Sequence, residues 1–210
     1  LGFGTIGLGV FKILSESGEL IRRRLGASVE VAKIADLDIT TDRGVAVPPG
    51  VLTKSADDVI NHPEIDVVIE LIGGYEPART FILKAIENGK HIVTANKALL
   101  AKHGDEIFAA IEKKKLAIGY EGSVGGAIPI IRSLRESFVA NQIGSIEGIV
   151  NGTANYILSK MSDGNCDFGK ALHEAQAKGY AEADPTFDIE GVDSAHKIAI
   201  LTRLAYGTSI

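Results

Sequence analysis

Three glycines in Gly2-Phe3-Gly4-Thr5-Ile6-Gly7 constrain this chain more than any other feature. Their G-x-G-x-x-G spacing is that of a turn joining a buried strand to a helix that receives a dinucleotide. The first glycine permits a tight turn, the second lets backbone approach a pyrophosphate, and the third allows close helix–strand packing. The helix that follows offers its N-terminal amides to phosphate oxygens. Only Leu1 stands before the fingerprint, so the strand that normally precedes it is expected to be cut short.

The pattern after the fingerprint alternates. Apolar spacing predicts a helix over Thr5–Leu25, interrupted near Gly18, and then a β-branched strand over Val29–Ala35 ending at Asp36. A helix start is expected at Ser55–Asp58, a buried strand over Asp66–Ile72, and a helix over Pro77–Asn88 stopped by Gly89. A strand over His91–Ala95, a helix over Ala98–Lys115 and a strand over Leu116–Glu121 complete the series. Strands alternating with helices imply βαβ units and a parallel sheet. The expected fold class is therefore α/β: a Rossmann-type nucleotide-binding domain over residues 1–126, followed by an α+β domain over 127–210. In the latter, a helix is expected over Ala127–Val139, a strand over Ile143–Val150, and helices near Thr153–Met161, Phe168–Lys178 and Glu190–Tyr206. The sequence stops at Ile210 straight after a helix, so this second domain is expected to be incomplete.

Composition narrows the classes. A charge of −5 argues against a nucleic-acid partner. No apolar run reaches the roughly 20 residues needed to span a bilayer, and no signal-peptide pattern opens the sequence. The lone Cys166 fits a reducing compartment. A cytoplasmic protein with no membrane partner is expected.

Chemistry-bearing residues gather where strands end, the edge at which open α/β sheets bind ligands. Asp36, further from the glycines than the usual ribose-binding acid, either meets a ribose, with Arg43 nearby to face a 2′-phosphate instead, or belongs to a solvated loop of mixed charge, so NAD and NADP both remain open. Gly73-Gly74 and Thr94-Ala95-Asn96-Lys97 lie on the same edge. Lys97 is either a surface lysine opening a helix or an ammonium facing a ligand. The segment from Glu121 to Pro129 joins one carboxylate to a glycine-rich backbone, whose oxygens suit a hard cation; it equally suits a hinge. From Gly179 to Lys197, five carboxylates crowd at Glu182, Asp184, Asp188, Glu190 and Asp193. Asp193 and Lys197 share a helix face. That pairing is either a surface ion pair or, on a helix continuing Ile198-Ala199-Ile200-Leu201, a partly buried lysine fit to donate a proton. His196 is the rival acid/base, although a lone helical histidine is more often structural.

Four segments together resemble the homoserine dehydrogenase family: Gly2–Gly7, Thr94–Lys97, Asn151-Gly152-Thr153-Ala154-Asn155-Tyr156-Ile157-Leu158, and Ala183-Asp184-Pro185 through Asp193 to Lys197. The resemblance implies interconversion of homoserine and aspartate 4-semialdehyde with NAD(P)(H), in threonine, methionine and isoleucine biosynthesis. It implies Lys197 as proton donor and Lys97 near the nicotinamide. Glu182 and Asp193 would bind the substrate ammonium, with Asp188, Gly152, Thr153 and Tyr180 also at the substrate. Cofactor contacts would come from Gly2, Phe3, Gly4, Thr5, Ile6, Gly7, Arg43, Gly73, Thr94, Ala95, Lys97 and Gly179. Glu121 and the carbonyls of Val124, Gly126 and Ile128 would hold a monovalent cation, usually sodium. A homodimer or larger assembly is implied for the complete protein, along with a segment after the catalytic helix that completes the catalytic sheet. The alternatives are another NAD(P)-dependent dehydrogenase or a non-catalytic cofactor-binding module.

Overall fold

A computed structural model of the chain describes residues 1–164 and 166–208; the terminal Ile210 lies outside the described residues. The chain forms two compact units, Leu1–Gly122 and Ser123–Ile210.

In the first unit, α1 (Thr5–Glu16) and α2 (Gly18–Leu25) precede β1 (Ile34–Ala35), β2 (Leu52–Thr53) and α3 (Asp57–Ile60). Then come β3 (Val67–Glu70), α4 (Ala78–Glu87), β4 (His91–Thr94), α5 (Lys97–Lys114) and β5 (Ile118–Gly119). The strands are parallel, in a two-stranded sheet β1-β2 and a three-stranded sheet β3-β4-β5. Leu1 and Gly2 lie between the two sheets: Leu71 N donates to Leu1 O at 2.9 Å, and Gly2 N donates to Ala35 O at 2.8 Å. The fingerprint is thus delivered to the edge where β1 and β3 end.

The core follows the sequence periods. On α5, Leu99, Leu100, Gly104, Ile107 and Ile111 are buried on one stripe. Ile82 and Ile86 of α4, Val68 of β3 and Ile92 of β4 join that core. Full burial of such side chains contributes about 1.5–3 kcal/mol each. The Asn96 side chain caps α5 by accepting from Leu99 N at 3.1 Å. Two expected strands prove shorter: of Val29–Ala35 only Ile34 and Ala35 pair with β2, and of Leu116–Glu121 only Ile118 and Gly119 pair with β4. Apolar alternation continues beyond the stretch for which a ladder partner exists.

The second unit is built from helices: α6 (Ile130–Arg132) running into a π turn (Ser133–Ser137), α7 (Gly152–Gly164), α8 (Phe168–Ala177), α9 (Thr186–Ile189) and α10 (Val192–Tyr206). Ile157 of α7 packs on Ala171 and Ala175 of α8, with Tyr156, Met161 and Leu172 around them. The alanines, four apart, form a low ridge against which α7 rests. The strand expected over Ile143–Val150 is not formed. Among the described residues it has no ladder partner, and Ile149 is 77% exposed, so its alternation alone does not make a sheet. The helix expected to begin at Glu190 begins at Val192, because Gly191, at φ 74°, separates α9 from α10.

Candidate active site

The fingerprint glycines are where side chains have no room or are not wanted. A Cβ on Gly2, which sits at φ +91°, would lie 2.8 Å from the Leu71 carbonyl oxygen, and one on Gly7 would lie 2.2 Å from the Gly2 carbonyl oxygen. Gly4, by contrast, meets nothing within 4 Å. The glycine that should admit a pyrophosphate therefore faces open space. It is also the N-cap of α1 and, as a glycine, brings no side-chain cap to the first-turn amides. These features fit a dinucleotide phosphate.

Asp36 and Arg43 flank this turn. Asp36 Oδ2 accepts from Phe3 N at 2.6 Å and Oδ1 accepts from Asp38 N at 2.9 Å, so the acid fastens the fingerprint backbone. Arg43 Nη2 lies 3.7 Å from Asp36 Oδ1 and 3.4 Å from Asp38 Oδ2, and the guanidinium sits 5.2 Å over the Phe3 ring. Hydrogen bonds from Thr41 and Thr40 hold the Asp38 carboxyl well below the usual carboxylate range. The arginine is thereby laid beside the turn as a fixed positive charge.

A second cluster occupies the ends of β3 and β4. Glu70 is fully buried; its Oε1 accepts from Ile72 N at 2.8 Å and Gly73 N at 3.0 Å, and Oε2 accepts from Thr94 Oγ1 at 2.7 Å. Thr94 Oγ1 accepts in turn from Asn96 N, and Asn96 Nδ2 donates to Gly74 O at 2.7 Å. Gly73, Thr94, Ala95 and the half-buried Lys97 are thus gathered on one edge. Glu70 and Asn96 do the gathering, and sequence reasoning assigned neither a role. An acid closing an otherwise apolar strand was the available signal for Glu70.

Glu121 opens a short 3-10 turn, Glu121–Ser123. In the second unit Val124 is buried, while Gly126 and Ile128 are exposed. Gly125 and Ala127 have φ of 61° and 66°, and Ile128 O accepts from Ile130 N at 2.8 Å. The donors in this segment are hard oxygens, the ligand type that hard cations take.

The second unit holds the densest polar group. Lys197, 18% exposed, donates to Val150 O at 2.6 Å and pairs with Asp193 Oδ2 at 2.7 Å. Asn151 Nδ2 donates to the same Asp193 oxygen at 2.9 Å and to Asp188 Oδ1 at 2.7 Å. Asp193 and Asn151 are both buried. Asp193 sits in the first turn of α10, where the helix dipole favours a carboxylate. Next to this cluster in sequence, Gly152, Thr153, Asn155, Tyr156, Ser159, Gly179 and Tyr180 line a pocket of about 550 Å³. Thr153 Oγ1 donates to Tyr180 O at 2.6 Å, and the Tyr156 and Tyr180 rings lie 4.9 Å apart. Glu182 is exposed, and its carbonyl accepts from Gln176 Nε2 at 3.1 Å. His196 Nδ1 is buried with no hydrogen-bond partner among the described residues, its ring 6.0 Å from Phe187.

Comparison with known proteins agrees with both units. Residues 2–121 match the family model described as homoserine dehydrogenase, NAD binding domain, and residues 129–210 match that of homoserine dehydrogenase. The chain is 51% identical over 206 residues to homoserine dehydrogenase of Pseudomonas aeruginosa, covering 98% of this chain and 47% of that protein. It superimposes on a homoserine dehydrogenase crystal structure from Thiobacillus denitrificans with TM-score 0.89 and 51% identity, over 98% of this chain and 48% of that one. A hyperthermophilic archaeal homoserine dehydrogenase in complex with NADPH matches with TM-score 0.68 and 30% identity, over 76% and 49%. The chain spans about half the length of the curated relatives it matches. By both of its units, this chain belongs to the homoserine dehydrogenase family.

Proposed function

We propose that the full-length protein is an enzyme that interconverts L-homoserine and L-aspartate 4-semialdehyde with NAD(P)(H), a step toward threonine, methionine and isoleucine. The observation that carries this reading is the partly buried Lys197, held by Asp193 and the Val150 carbonyl. NADPH bound to the archaeal relative supports the cofactor class. Here Gly2–Gly7, Arg43, Gly73, Thr94, Ala95, Lys97 and Gly179 would hold the cofactor. When bound, it supplies the hydride for the aldehyde carbon.

Lys197 then delivers a proton to the substrate oxygen as alkoxide charge develops. Asp193 holds the ammonium in place. Glu182, Asp188 and Asp193 receive the substrate ammonium, and Gly152, Thr153 and Tyr180 line its pocket. Glu121 with the carbonyls of Val124, Gly126 and Ile128 is the sodium-binding segment, a reading supported by its hard oxygen donors. Replacing sodium with a bulky organic cation lowers activity if that assignment holds and leaves it unchanged if it does not. The complete protein acts in the cytoplasm as a homodimer or larger assembly; among the described residues no helix is long and apolar enough to cross a membrane. Loss of NADPH absorbance on adding aspartate 4-semialdehyde tests the activity. Cofactor binding without turnover by the full-length protein would overturn it.

A further inference from the structure

One residue in the Lys197 cluster has all of its side-chain groups engaged. Asn151 Oδ1 accepts from Ala154 N at 2.7 Å, capping the start of α7, while both Nδ2 hydrogens are given to acids, Asp188 of α9 and Asp193 of α10. The backbone N–H of Ala154 fixes which way the amide points, because only the oxygen can accept it. The amide nitrogen is therefore forced onto the two carboxylates. Asp193 Oδ2 receives Asn151 on one side and Lys197 on the other. The preceding residue, Val150, supplies the carbonyl that takes another Lys197 hydrogen.

We infer that Asn151 is a positioning residue. Its amide holds Asp188 and Asp193 side by side and so fixes the carboxylate that orients Lys197. This rests on the reading of Lys197 as proton donor. Two carboxylates brought together repel, and a neutral double donor between them offsets part of that repulsion. The charged groups facing Asn151 are Asp188 from α9 and Asp193 from α10, with Lys197 beyond Asp193.

Asn151→Asp separates this role from helix capping. A carboxylate still accepts from Ala154 N but cannot donate to the acids, and it adds a third negative charge. In the full-length enzyme at about pH 8, Asn151→Asp should lower kcat/KM for aspartate 4-semialdehyde by about 10–100-fold. The loss should fall mainly on kcat, with NADPH affinity within about twofold of wild type. As the pH is lowered from about 9 to about 5, the added carboxyl, crowded by Asp188 and Asp193, takes up a proton more readily than a free one and becomes a donor again, so the deficit relative to wild type should narrow. Asn151→Ala removes cap and donors together; it should lose kcat similarly but show no such narrowing. Loss of turnover in Lys197→Ala, measured in the same assay beside wild type, establishes the underlying reading, so the two failures are distinguishable. An Asn151→Asp enzyme with wild-type kcat, or a deficit constant across pH, would overturn the proposal. If that variant does not fold, wild-type kcat in Asn151→Ala would do so.

Discussion

Lys197 Nζ lies 2.7 Å from Asp193 Oδ2, one helical turn apart on α10 and largely out of solvent. An exposed i,i+4 pair of this kind contributes only a few tenths of a kcal/mol. Here the same carboxylate also takes the Asn151 amide, and the same ammonium also takes the Val150 carbonyl. The pair is thus a fixed element of a buried network, which is the condition a proton donor needs.

The three fingerprint glycines should separate cleanly in mutagenesis. Gly7→Ala places a Cβ 2.2 Å from the Gly2 carbonyl oxygen, a backbone clash that should cost about 2–3 kcal/mol and lower Tm by several degrees. Gly4→Ala meets no atom and should leave Tm nearly unchanged while weakening NADPH binding. Thermal melts paired with cofactor titrations check both; equal effects on Tm would count against the assignment.

Arg43 is the candidate reader of a 2′-phosphate. Arg43→Ala should weaken NADPH binding by about 10-fold or more, as loss of a charge-assisted contact does, with NADH affected far less. Titrations with both cofactors decide it, and equal losses would remove Arg43 from that role.

Substrate recognition is tested at Glu182. Losing one charge-assisted hydrogen bond should cut kcat/KM for homoserine by about 10–150-fold in Glu182→Gln. An alcohol lacking the amino group should already react poorly and lose little more. Proportional losses for both substrates would contradict ammonium recognition. Asp193 is a less clean probe, since it also holds Lys197.

Beside the pocket, Glu174 receives Lys178, the Tyr156 hydroxyl and Lys160, which pull its carboxyl from 4.5 down to about 2. A depressed carboxylate contributes stability above its unfolded value and loses it as pH falls through the folded one. The gap in urea midpoint between wild type and Glu174→Gln should therefore be present at neutral pH and close between pH 4.5 and about 2. It should be small, because the pairs are solvent-screened. A gap unchanged at the acid end would refute the assignment.

Much of this was legible because local chemistry demanded it. Gly2 and Gly7 stand where a side chain would strike backbone, and Asp193 and Lys197 sit one turn apart on a single helix. The Ile143–Val150 alternation misled because a strand exists only with a partner. Glu70 to Thr94 and Asn151 to Asp188 are joined by side-chain bonds across 24 and 37 residues. No periodicity reports such a pairing; only the fold brings those groups together.

The most direct test of the account is turnover of aspartate 4-semialdehyde with NADPH by full-length Lys197→Ala, measured beside its NADPH affinity. Losing a positioned general acid should slow the reaction by about 10²–10⁴-fold, with NADPH affinity nearly unchanged. Wild-type turnover in that variant would contradict the role of Lys197 as proton donor.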